Sequence, residues 1–211
     1  MIGKKNLKGL VIGLSFLAFL LSQLILAIAQ DTLPKALLPN LENYGFKLTK
    51  VVEMIQSDWM KSVASITEQF NIPGMSPEIA GQLTEQFNFP LLSAAGNYTK
   101  NDNERIAIDV YKFENEKNSR KWFDSQVSKK KELEDLFKAK ATTAKLEKTQ
   151  INGKEAYCFT FGSSDLKAQA KPGYETSLFW QNEEYFFDIK FYSMNPWPQT
   201  EAVKVANEIK P

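Results

Sequence analysis

The 211-residue sequence contains no histidine and a single cysteine, Cys158. The first absence removes the commonest metal ligand and the commonest general base together. The second rules out an intramolecular disulfide and any cysteine-built zinc site. The sequence predicts no cofactor. Long apolar runs are confined to residues 10–29. Over the whole chain 43% hydrophobic and 24% charged residues describe a globular protein, not a disordered one.

The first thirty residues stand apart. Lys4, Lys5 and Lys8 precede the apolar run, and Ala27-Ile28-Ala29 offers small residues where a signal peptidase reads them, so residues 1–29 read as a signal peptide. The alternative is an uncleaved anchor that holds the protein to the membrane through residues 10–29, since about 20 apolar residues span a bilayer. Either way the remainder is exported: periplasmic, extracellular or on the outer face of the cytoplasmic membrane. Without the three leader lysines the 26 basic residues fall to 23, against 25 acidic ones. Such a balance is no footprint for nucleic acid.

Residues 30–43 carry Pro34 and Pro39 and read as an extended lead-in. Leu48, Val52, Ile55, Trp59, Val63, Ile66 and Phe70 then follow helical spacing, which predicts an amphipathic helix of some six turns. Asn71-Ile72-Pro73-Gly74 ends it, and Ser76-Pro77-Glu78 starts another with a serine cap and a first-turn proline. Thr67–Pro73 recurs as Thr84–Pro90, so two helices end alike and form a helical hairpin within residues 30–90. Two copies make no solenoid.

From Leu91 the period changes to two. Residues 91–100 and 104–113 read as strands joined at Asn101-Asp102-Asn103, and residues 116–138 as a helix. Residues 144–151 and 155–162 form a hairpin around Asn152-Gly153, a pair suited to a type I′ turn. Residues 174–193 form the most aromatic hairpin. Tyr185, Phe187, Ile189 and Phe191 take one face of its second strand; Phe186, Asp188, Lys190 and Tyr192 take the other. Met194-Asn195-Pro196-Trp197-Pro198 leads to a last helix whose face is Ala202, Val205, Ala206 and Ile209. The fold class is therefore α+β, an antiparallel sheet of about six strands over residues 91–211 with helices packed on it. The element order of residues 91–211, ending in a strand and then a helix, resembles that of the photosystem-associated PsbP-like sandwich, which occurs in exported prokaryotic proteins. The resemblance implies a fold and no function.

Few constellations suggest chemistry. Cys158 lies between Tyr157 and Phe159 and reads as a buried, inert thiol. Gly162-Ser163-Ser164-Asp165 lacks the spacing of a nucleophile elbow. Asn101-Asp102-Asn103-Glu104 offers oxygen ligands but lacks the glycine and second carboxylate provider of a calcium loop, so no metal site is predicted. Asn97-Tyr98-Thr99 is a glycosylation sequon. Asp109 and Asp188 lie on strands, each opposite the aliphatic face, and form an acid–base pair if those strands are neighbours. Lys112 or Lys190 would assist them in a hydrolase or lyase.

The leading expectation is a non-enzymatic, envelope-associated binding module for a protein partner or an apolar ligand. Its surface would include Phe186, Asp188, Lys190 and Tyr192. A further reading makes residues 44–90 an interaction arm that pairs its apolar seam with a partner helix.

Overall fold

A computed structural model describes residues 33–59, 61, 89–137, 143–162 and 173–210. The leader, most of the expected helical hairpin and the Ser163–Asp165 cluster lie outside the described residues.

Among the described residues seven strands form one antiparallel sheet. They are β1 (Lys47–Ile55), β2 (Leu92–Asn101), β3 (Glu104–Lys112), β4 (Thr143–Ile151), β5 (Lys154–Gly162), β6 (Tyr174–Asn182) and β7 (Tyr185–Ser193). Their spatial order is β1-β2-β3-β7-β6-β5-β4. After β3 the chain crosses the sheet through α1 (Glu116–Phe137), reaches the far edge at β4, and meanders back strand by strand until β7 closes against β3. A second helix, α2 (Gln199–Ala206), follows β7.

The turns carry the chemistry their positions require. Asn152 and Gly153 adopt φ values of 48° and 76°, the doubly left-handed pair of a type I′ hairpin. Asn115 caps α1, its side chain accepting a hydrogen bond from the Asn118 N–H at 3.0 Å, and Glu116 follows in the positively polarised first turn. The buried Ser119 hydroxyl lies against the carbonyl of Glu183, and the Phe113 N–H donates to the Glu184 carbonyl at 2.8 Å. The start of α1 is thereby fixed to the β6–β7 turn.

Alternation along the strands supplies a separate core for each face. On one, Ile106, Ile108, Val110, Leu178, Trp180, Phe187, Ile189 and Phe191 pack under α2, whose Ala202, Val205 and Ala206 are buried with Ile209. Leu41 and Phe46, in the segment before β1, close the same layer. On the other, Phe159, Phe179 and Phe186 pack under α1 against Phe113 and Phe123. The two helices thus cover opposite faces.

Residues 48–55 depart from the sequence expectation. They are the edge strand β1, paired with β2 from Lys47↔Thr99 to Ile55↔Leu92 with one irregularity between Leu48 and Lys50, and not the start of a six-turn helix. The sheet accordingly has seven strands, not about six, and it begins before residue 91. The helical spacing was real but indecisive. Val51 and Val52 are β-branched neighbours that suit a strand, and β2 otherwise leaves a whole row of backbone groups unpaired. Helix begins only at residues 56–59 and 61. An arm that presents Leu48, Val52 and Ile55 along one helical stripe is excluded by this pairing.

Candidate functional site

Two places concentrate polar chemistry, one on the α1 face of the sheet and one at its end. The first is built from the middle of β3, β7 and β6. Asp109 lies directly opposite Asp188 in the β3–β7 register. Like charges so placed repel, and the sequence supplies the remedy two residues along β7. The Lys190 ammonium sits between them, 2.8 Å from Asp109 Oδ2 and 3.3 Å from Asp188 Oδ2. The Ser177 hydroxyl donates to Asp188 Oδ1 at 3.3 Å. From α1, Lys130 approaches Glu175 at 3.9 Å while its ammonium lies 4.7 Å from the Phe159 ring centroid.

The strip is half-buried; the Asp188, Asp109 and Lys190 side chains keep 16%, 18% and 26% exposure. Burial raises the Asp188 carboxyl above its ordinary value, with Lys190 opposing and Asp109 reinforcing the rise. For Lys190 burial acts downward, but the Asp188 and Asp109 charges outweigh it and the ammonium is held well above its usual range. Burial likewise raises Tyr111, and it pushes Tyr192 up to about 12 with help from Glu175. A lysine so firmly protonated is no general base.

Of the four residues on the outward register of β7, Phe186 is buried in the core under α1. Asp188 and Lys190 belong to the ionic strip, and Tyr192 is half-buried at its end. Tyr192 also lines a small hollow of about 280 Å³ with Asn97, Thr99, Arg105 and Ala107. Lys112, the other lysine expected to assist, lies 5.5 Å from the centroid of the Tyr185 ring, away from the carboxylates. Cys158 is free and buried, and burial pushes its thiol up to about 11. In the turn of Asn101-Asp102-Asn103-Glu104 the Asn101 amide donates to Glu104 at 2.9 Å, closing the β2–β3 connection. Among the described residues no three acidic or cysteine side chains converge as metal ligands, and no helix is long and apolar enough to cross a membrane.

The second place is a cleft of about 630 Å³ where the β2–β3 turn, the segment after β7 and the segment before β1 meet. Trp197 is its centre. The indole stacks on Phe191 at a centroid distance of 4.6 Å and tilts against Phe46 at 6.0 Å. Its backbone N–H donates to the Thr176 hydroxyl at 3.2 Å, Ser193 ties to the Asn195 carbonyl, and Pro196 and Pro198 restrict φ on either side. The loop is therefore held in one shape. Tyr44 and Met194 extend the apolar wall, while Asn101, Asn103 and Asn195 bring amides to the rim.

The charged groups of this cleft are already paired. Lys100 meets Glu104 at 3.3 Å, and Glu201 meets Lys204 at 2.8 Å. The Tyr44 hydroxyl donates to Glu208 at 3.1 Å. No hydrogen-bond acceptor for the Trp197 indole N–H is found among the described residues. An aromatic wall, amide rim and cancelled charge suit a neutral ligand with both apolar and polar edges.

Sequence reasoning brought forward Asp109, Asp188 and Lys190 but not the cleft. Its lining comes from four distant stretches of chain. The one local signal was a tryptophan between two prolines outside any strand or helix, where an aromatic residue has no neighbours of its own element to pack on.

No curated protein matches the chain. A solved structure, the extracellular domain of PknH from Mycobacterium tuberculosis, superposes with a TM-score of 0.49 at 11% identity, covering 83% of this chain and 91% of that one. Neither comparison leads to the PsbP-like sandwich. A family model described as a domain of unknown function, DUF4367, matches residues 93–209, a span from the start of β2 to the turn after α2 that holds both the ionic strip and most of the cleft, and the chain belongs to that family.

Proposed function

We propose that this protein is an exported, non-enzymatic binding module of the cell envelope, and that its ligand sits in the cleft centred on Trp197. The export reading rests on the leader of residues 1–29. The binding reading rests on one observation, the cleft of about 630 Å³, within the roughly 300–1,000 Å³ usual for small-molecule sites. Its aromatic wall is prefixed by the Thr176 and Ser193 hydrogen bonds, so little ordering cost opposes binding.

The hydrolase or lyase reading has one supporting observation, the shared register position of Asp109 and Asp188. Against it, Lys190 occupies the space between the two carboxylates and contacts both. Three carboxylates and two ammoniums that satisfy one another are a structural network before they are a catalyst.

The test is a screen of neutral small molecules against the isotope-labelled full chain by two-dimensional amide NMR. The four tryptophans give four indole signals, and the one missing from Trp197→Phe identifies Trp197. Binding should move that signal and the side-chain amides of Asn101 and Asn103. A screen in which hits move residues around Lys190 while the Trp197 signal stays fixed would transfer the function to the ionic strip.

A further inference from the structure

We infer that the cleft recognises an uncharged sugar ring, as presented by a neutral glycan; this rests on the cleft being the binding site. Three features of the lining restrict the ligand. The first is the charge balance. Lys100 is engaged by Glu104 and Glu201 by Lys204, so a charged ligand finds its counter-charges in the lining already shared with a neighbour. Charged ligands are desolvated there without a dedicated counter-charge.

The second is the platform. Trp197 is fixed from behind by Phe191 at 4.6 Å and at its side by Phe46 at 6.0 Å, and it still lines the cleft. A flat indole edge-locked in this way matches the C–H-rich face of a pyranose, whose axial hydrogens carry slight positive charge toward the negative π face. A linear alkyl chain gains no comparable fit, because the asparagines of the β2–β3 turn and Asn195 in the lining leave part of its length against polar groups.

The third is the rim. Asn103 carries an amide, the Trp197 indole N–H has no acceptor among the described residues, and Tyr44 contributes a phenol oxygen that can still accept. Amides that donate and accept at one edge pair with hydroxyls that do the same. Asn101 sits in the same turn but spends one amide hydrogen on Glu104. Polar contacts at the ring edge and apolar contact at the ring face is the division a sugar presents.

Three uncharged tetrasaccharides serve as probes, cellotetraose, maltotetraose and the β-1,4-linked tetramer of N-acetylglucosamine, titrated to millimolar concentration against the full chain. The expected result is a saturable movement of the Trp197 indole signal with at least one of them. Trp197→Ala should weaken that binding about tenfold, read from the Asn103 side-chain amide. Trp197→Phe, which keeps an aromatic ring against Phe191, should retain part of it and shows that the loop still folds.

A neutral tripeptide, trialanine, and free indole are titrated in parallel. If either moves the Trp197 signal while all three sugars leave it fixed, the sugar inference is overturned and the cleft remains the binding site. If no probe moves it, both readings fall.

Discussion

At the scale of single residues, Lys190 decides how the α1 face of the sheet tolerates its charges. Asp109 and Asp188 face each other across β3 and β7, and the ammonium between them, in contact with both, does most to offset their repulsion. Lys190→Met keeps the length and removes the charge. Breaking a fully buried pair costs about 3–5 kcal/mol, and the partial exposure of this strip argues for a loss nearer 2 kcal/mol at about pH 7, read by urea unfolding. The pH dependence has a definite sign. Asp188 is raised by burial, so its contribution is full below the unfolded carboxyl pKa and falls as pH rises through the folded one. Without Lys190 that fall should steepen, and the gap between variant and wild type should narrow toward about pH 4. Asp188→Asn in the Lys190→Met background should restore part of the loss. A gap that stays constant with pH would mean that Lys190 acts through its methylenes alone.

Cys158 gives a second prediction at this scale. Its thiol is buried and raised to about 11 from 9.0. Because the folded value lies above the unfolded one, the stability it contributes is present below 9.0 and is lost as pH rises toward 11. Cys158→Ser does not titrate there. The difference in unfolding free energy between wild type and Cys158→Ser should therefore shrink by the order of 2 kcal/mol across that window. Native protein should also resist thiol reagents at about pH 8 and react fully once unfolded. Fast labelling of native protein would contradict the burial.

Among the elements, the strands differ in how much of their placement is written locally. β7 is legible because Tyr185, Phe187, Ile189 and Phe191 alternate with Phe186, Asp188, Lys190 and Tyr192, and both sets find a core or an ionic partner on their own face. The β4–β5 hairpin is legible from Asn152-Gly153. β1 is not, because an edge strand buries little: Leu48 and Ile55 remain about half exposed, so alternation was never required of it. Its state is set by the open edge of β2, a partner forty residues away. The site divides the same way. That Asp109 and Asp188 turn from the aliphatic face follows from alternation, but their meeting depends on β3 pairing with β7 across the whole β4–β6 meander. The cleft needs four remote segments to meet, and no local pattern records that.

Gly162 tests the packing of one such element. A methyl group there would sit 2.6 Å from the Tyr174 ring and 2.8 Å from the Tyr174 Cα, and it would strike the Gly173 carbonyl. Backbone cannot swing aside as a side chain can. Gly162→Ala should destabilise the fold by about 1–3 kcal/mol, as overpacked interiors do, although alanine ordinarily suits a strand better than glycine. Thermal or urea unfolding of the single variant checks it. Gly153→Ala, in open space but at φ 76°, should be costly for the different reason that a β-carbon resists the left-handed region.

For the whole molecule, the consequence of one sheet serving two cores is that neither face can fail alone. Phe186 and Phe187 are chain neighbours, yet the first belongs to the core under α1 and the second to the core under α2. The strands β3, β7, β6, β5 and β4 each divide their side chains in this manner, so loosening one layer moves the backbone that positions the other. Phe187 is wholly buried and stacks on Trp180 at 4.7 Å. Phe187→Ala should cost about 3–5 kcal/mol through lost burial and the cavity left behind. The informative quantity is where that loss is felt. Trp180 reports the α2 face and Trp122, on α1, the α1 face, and variants retaining only one of these two and neither of the other two of the chain's four tryptophans can be followed by fluorescence in urea. Both reporters should give the same midpoint, and Phe187→Ala should lower both equally, since a cooperative unit unfolds all at once. If the Trp180 midpoint falls while Trp122 keeps its own, the α1 layer holds together without its opposite face, and the sheet is two half-sandwiches that share strands and not a single folding unit.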